Sequence, residues 1–122
     1  MREILRKHHI SFKNAFAGIF WSLRTQPNFR VHIFLSVLAL ILAWYLRISQ
    51  LETLVIIFTI ILGLTAEMIN TSLESMTDLI TKEWKAEAKI AKDVSAGMML
   101  TVSIGAVVIA AFIYVPYLWK FF

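Results

Sequence analysis

The sequence predicts an all-α membrane protein, with one N-terminal amphipathic helix on the membrane surface followed by three transmembrane helices. Three observations carry this expectation. Hydrophobic residues make up 59% of the 122-residue chain and the mean hydropathy is +0.74, well above what a water-soluble domain of this size carries. The apolar residues gather into three runs of about the length that crosses a bilayer. The charged residues, 16% of the chain, lie almost entirely between and outside those runs.

The surface helix is expected over about residues 10–24. In ISFKNAFAGIFWSLR, the residues Ile10, Phe16, Ile19, Phe20 and Leu23 recur at helical spacing, with Lys13, Asn14 and Arg24 elsewhere. That pattern suits a helix in the interface plane, or one packed against the ends of the spans. Thr25-Gln26-Pro27-Asn28 is expected to break it. The preceding stretch, MREILRKHHISFKN, lacks an uninterrupted apolar core, so it is expected to be retained rather than cleaved.

The first span is expected over about 29–47. Its apolar run, Val31 to Leu46, is short, so Asn28 to Arg30 and Arg47 fall at headgroup level. The second is expected over about 51–80, since the apolar run from Leu51 to Leu73 continues as helix past the bilayer core. The third is expected over about 92–120, because no charge interrupts the chain between Asp93 and Lys120. Trp44, Tyr45, Tyr114, Tyr117 and Trp119 supply aromatic belts. Lys and Arg crowd the N-terminal segment and the loop from Thr81 to Asp93, whereas the turn LRISQL has only Arg47 and the C-terminus only Lys120. The positive-inside rule then puts the N-terminus in the cytoplasm and the C-terminus outside.

The length allows one domain, 1–122. The chain has no cysteine, which excludes disulfides. The net charge of +4 lies mostly near the N-terminus and suits membrane lipids rather than nucleic acid. Three spans leave little protein around any buried polar group, and Gly63, Gly105, Ala106 and Ala110 offer close-approach surfaces, so self-association is expected.

The chemistry is concentrated on the second span. Glu67, Asn70, Thr71, Glu74 and Asp78 fall at i, i+3, i+4, i+7 and i+11 and line one face of a helix. A carboxylate at membrane depth is costly, by roughly 3 kcal/mol on insertion scales, and is functional by default. An acidic, amide-bearing stripe at the cytoplasmic end of a span is what a metal ion and a phosphate donor need. Glu67, about 10 Å deeper than Glu74 by helical rise, is placed to take a proton from an alcohol; the plainer alternative is a Glu hydrogen-bonded between helices. Glu74 and Asp78 can hold Mg²⁺, or be solvated acids at a helix end. Asn70 can orient a carboxylate or a hydroxyl, or join helices. Lys92, with Asp93, opens the third span in this reading. A lysine at a helix start opposes the dipole, which points to a polyphosphate partner; the alternative is a snorkelling interfacial lysine. His8, His9 and His32 have no ligand-like companions, and no Gly-rich phosphate loop, HExxH or Ser/His/Asp elbow is present.

The stretch AEMINTSLESMTDLI, followed by AKIAKDVSAGMML, resembles the signature of the small prokaryotic diacylglycerol kinases. The pattern E-x-x-N-[ST]-[SA]-x-E-x-x-x-D falls on Glu67, Asn70, Thr71, Ser72, Glu74 and Asp78, and A-K-D on Ala91, Lys92 and Asp93. The similarity also covers SFKNAFAGI and nearly the whole chain. It implies a homotrimer in the bacterial inner (plasma) membrane, with active sites shared between subunits at the cytoplasmic face. The whole chain then forms one lipid kinase domain that moves the γ-phosphate of ATP to a lipid alcohol. It implies Glu67 as the base, Glu74 as an Mg²⁺ and nucleotide ligand, Asn70 as support, and Lys92 with Asp93 as nucleotide ligands. Glu83, Trp84 and Lys85 would wall the ATP site. The family's second metal-binding Glu, just before the first span, is here Gln26, ahead of Phe29-Arg30; an amide oxygen holds Mg²⁺ only weakly, leaving Asp78, water or ATP to complete the shell. The Ala96-Gly97 region and the aromatic N-terminal helix resemble the Gram-positive branch, in which undecaprenol can replace diacylglycerol. Two other classes compete. One is a non-catalytic membrane assembly protein whose polar stripe staples subunits, distinguished by whether it binds Mg-ATP. The other is an ion-pathway protein, which needs acids spread across the bilayer rather than at one end.

Overall fold

The computed structural model describes residues 2–121. They form four α-helices in chain order: α1 Arg2–Thr25, α2 Pro27–Leu46, α3 Gln50–Ile80 and α4 Ala86–Leu118, with a short 3-10 turn at Trp119–Phe121. The last three are long and apolar enough to cross a membrane.

The joints follow from local sequence. Pro27 has no N–H to lose at the start of α2, and its ring pushes the preceding residue out of the helical region. The break expected over four residues is therefore one residue long: Gln26, in extended conformation between α1 and α2. α1 contains the expected amphipathic stretch and runs on to Arg2. It touches α2, and Ser22 and Phe29, on either side of the joint, are buried. Phe12, Phe16, Phe20 and Trp21 are exposed.

α2 ends in a Schellman turn. Arg47 adopts the left-handed conformation, φ 52°, while its N–H reaches Trp44 O (3.2 Å) and that of Ile48 reaches Ala43 O (3.2 Å). Ser49 then starts α3 with a capping box. Its hydroxyl accepts from Glu52 N (3.3 Å), and Glu52 Oε2 accepts from Ser49 N (3.0 Å). The same carboxylate accepts from Tyr117 Oη at 2.7 Å, so the α2–α3 turn is tied to the far end of α4. Tyr114 Oη donates to Ala39 O at 2.7 Å and joins α4 to α2. Around these bonds sits a small core of Ala43, Ile48, Ile56, Ile113 and Tyr114.

α3 and α4 share the most extensive helix–helix contact. Their connection runs through Thr81, which ends α3 in extended conformation, to Lys85, which precedes α4 in extended conformation. This corrects one expectation. Lys92 and Asp93 do not open a helix: α4 begins at Ala86 and both residues lie inside it. The dipole argument for an unusual lysine at a helix start therefore lapses.

Within the windows that could span a bilayer, only 11%, 17% and 11% of residues are buried by the chain itself. Phe34, Phe58, Val107 and Phe112 are all largely exposed. Surfaces this apolar need lipid or further protein against them.

Candidate active site at the polar end of the bundle

At ~1.5 Å per residue, an upright α3 counted from Gln50 has crossed a ~30 Å hydrocarbon layer by the level of Asn70. α4, counted back from Leu118, does so near Met98 on the same figures. Glu67 then lies just within the layer, and Glu74, Asp78, Lys92 and Ser95 just beyond it. The polar cluster described below occupies this boundary.

The burial pattern of α3 follows the stripe. Glu67 is 2% exposed, and Asn70 and Thr71 are 7% exposed each. Glu74 is half-buried and Asp78 exposed. Asn70 Nδ2 donates to Glu74 Oε1 at 3.1 Å. From α4, Ser95 Oγ donates to Asn70 Oδ1 at 2.6 Å and is itself 2% exposed. A three-member chain, Ser95 to Asn70 to Glu74, thus crosses the α3–α4 interface. One turn deeper, Glu67 Oε2 is buried and has no hydrogen-bond partner, the sole such side-chain atom among the described residues. His32, from α2, and Glu74 both lie close enough to Glu67 to act on its charge.

The remaining sequence candidates are held separately. Lys92 Nζ is paired with Asp78, which links the outer turns of α3 and α4. Asp93 is paired with Lys89 on its own helix. Glu83 and Lys85 face each other at 3.9 Å in the α3–α4 loop, and Trp84 beside them is 79% exposed. Gln26 donates to Thr25 Oγ1 at 3.3 Å. The loop borders an open cleft of about 760 Å³ lined by Thr77, Lys82, Glu83, Lys85, Glu87 and Ala91. No group of three or more His, Cys, Asp or Glu side chains converges among the described residues.

A second cavity lies in the apolar part of the bundle. It is a groove of about 370 Å³ between α2, α3 and α4, lined by Leu35, Ala39, Ile60, Gly63, Ala106 and Ala110 among others. His32 stands at one end and Tyr114 at the other. Gly63, at the polar end of the groove, is one helical turn from Glu67 along α3, although Glu67 does not itself line the groove.

Two residues of this region escape a reading of spacing alone. Ser95 belongs to α4, and only the packing of α4 on α3 puts it against Asn70. Its trace in the sequence is a small polar residue one turn after Lys92. His32 is the histidine inside the first apolar run, a place where an ionisable side chain needs a reason.

A model of the prokaryotic diacylglycerol kinase family matches residues 13–114. The chain belongs to that family. As a family member with three apolar helices, it is a bacterial membrane protein, and its relatives are lipid kinases by name. A diacylglycerol kinase of Synechocystis sp. is 36% identical over 108 residues, 88% of this chain and 62% of that protein. The chain therefore spans less than two thirds of that relative's length. An undecaprenol kinase of Bacillus subtilis is 34% identical over 116 residues, 94% of each chain.

Proposed function

We propose that this diacylglycerol kinase family member transfers the γ-phosphate of ATP to a membrane lipid alcohol at the cytoplasmic face, with Mg²⁺, as a homotrimer. The carrying observation is the buried, unpartnered Glu67 Oε2. A carboxylate oxygen withdrawn from water and left without a donor is an acceptor waiting for a hydroxyl. Glu67 takes the proton of the lipid alcohol as its oxygen bonds to the γ-phosphorus; the bond from that phosphorus to the bridging oxygen breaks, and ADP leaves. Phosphoryl transfer asks mainly for placement and charge neutralisation. Glu74, held at one oxygen by Asn70, faces the phosphates. Lys92 is within reach of them on exchanging its partner Asp78. The cleft beside Glu83 and Lys85 takes the rest of the nucleotide, with Trp84 and Asp93 at its margin.

The donor set fits Mg²⁺. That ion is held by one or two carboxylates and otherwise by phosphate and water, which suits Glu74 as the protein carboxylate and the lack of a three-acid cluster among the described residues. When bound, it neutralises charge on the phosphates. Gln26 is a weak candidate for its shell, since its amide is turned to Thr25. If it does reach the metal, Gln26→Glu lowers the half-saturating Mg²⁺ concentration several-fold, because a charged oxygen holds a hard cation better than an amide. A titration that overlays the wild type puts position 26 outside the shell.

The apolar groove receives the hydrocarbon chain of the substrate, with the hydroxyl at the His32 end near Glu67. Ala106→Leu narrows the groove and raises the KM for lipid about tenfold, with the KM for ATP unchanged. Equal effects on both substrates place the chain elsewhere. The reading as a whole is tested by incubating purified protein with labelled ATP, Mg²⁺ and separate vesicles of diacylglycerol and of polyprenol. Label in the lipid fraction supports it. Mg-ATP binding without transfer to any lipid alcohol, or no binding at all, overturns it, and light scattering of the solubilised protein reads the subunit number.

A further inference from the structure

We propose that Ser95 is a positioning residue that fixes the orientation of the Asn70 amide and, through it, the carboxylate of Glu74. The proposal rests on the kinase reading for its activity measurements, but its structural half stands on the hydrogen bonds alone.

The direction of the chain is set by chemistry. An ionised Glu74 oxygen can only accept, so it is the NH₂ of Asn70 that meets it. Oδ1 of the same amide is thereby turned the opposite way, into a buried position. There it needs a donor, and the hydroxyl of Ser95 supplies one at 2.6 Å. The hydroxyl also lies 3.1 Å from the carbonyl oxygen of Lys92, one turn earlier on α4. The two acceptors compete for the single hydroxyl proton, and the shorter contact is the one to Asn70. Ser95 and Asn70 are separated by 25 positions and sit on antiparallel helices, so the link sets the register of α4 on α3 just where Lys92 pairs with Asp78. Without the hydroxyl, Asn70 Oδ1 is a buried acceptor with no donor. The amide then rotates toward other partners and releases Glu74 Oε1. Groups that orient a metal- or phosphate-facing carboxylate in this way are worth about 10–100-fold in metal affinity or activity.

The test compares Ser95→Ala with Ser95→Thr, which keeps a hydroxyl. Two readouts are taken on the full-length protein in membranes. The first is the carboxylate stretching band of Glu74 in isotope-edited infrared spectra without nucleotide or metal, with Glu74→Gln identifying the band. It shifts in Ser95→Ala and stays at the wild-type position in Ser95→Thr. The second is phosphate transfer against Mg²⁺ concentration. Ser95→Ala raises the half-saturating concentration about tenfold, recovers most of the wild-type rate at saturation, and leaves the KM for lipid unchanged. An unshifted Glu74 band overturns the proposal. So does a uniform loss of rate at every Mg²⁺ concentration accompanied by lowered thermal stability, the mark of a packing role. If the wild type transfers no phosphate, the kinase reading fails, and the infrared comparison still decides the role of Ser95.

Discussion

Glu67→Gln lowers turnover about 10²–10⁴-fold, the usual worth of a positioned general base, while folding and Mg-ATP binding remain close to wild type. The substitution keeps the shape of the side chain and removes its ability to take a proton. Glu67 is 2% exposed and its Oε2 has no partner, so no ion pair is broken when the charge is removed. Gln keeps the volume of the carboxyl group, so the variant should resist unfolding about as well as the parent. Single-turnover transfer from labelled ATP, alongside nucleotide binding by calorimetry, separates the chemical step from binding. A variant that keeps most of the parent's rate removes Glu67 from the base role and leaves its burial as a matter of helix packing.

Glu74→Ala lowers turnover on the order of 10²-fold, the scale of losing one electrostatic partner at a transfer site, and unlike Glu67→Gln it also weakens Mg-ATP. The carboxylate is half-buried, held through one oxygen by Asn70, and lies beyond the estimated edge of the hydrocarbon layer. Its loss takes a negative ligand from the metal and leaves the Asn70 NH₂ without an acceptor. Both effects fall on the bound nucleotide. Calorimetric titration of Mg-ATP into the variant measures this directly, and an affinity equal to that of the parent counts against the assignment. The contrast between the two variants is itself informative. One removes a proton acceptor below the phosphates, and the other removes a ligand beside them.

The architecture was legible because each of its signals lies within a single stretch of chain. Apolar runs mark three helices, and Pro27 marks the joint before the first of them. The stripe from Glu67 to Asp78 was legible for the same reason: residues on one helix face are placed by the helical repeat alone. The order and spacing of these residues also carry the family resemblance, which the match over 13–114 bears out. The start of α4 was misjudged, because Ala86 to Ala91 mixes charges with small residues and looks like loop by hydropathy, although alanine, glutamate and lysine are strong helix formers.

Partners drawn from different helices could not be read in this way. That Lys92 meets Asp78, that Ser95 meets Asn70, and that His32 comes within the field of Glu67 depend on how α2 and α4 are rotated and slid against α3. The groove from His32 to Tyr114 exists only between three helices at once. The sequence by itself determined the class, the spans and the acidic face, since these are properties of a helix taken alone. The tertiary structure decided which side chain from a neighbouring helix answers each of those acids, because that depends on packing register, and a shift of one residue on α4 would turn Ser95 away from Asn70 by about 100°.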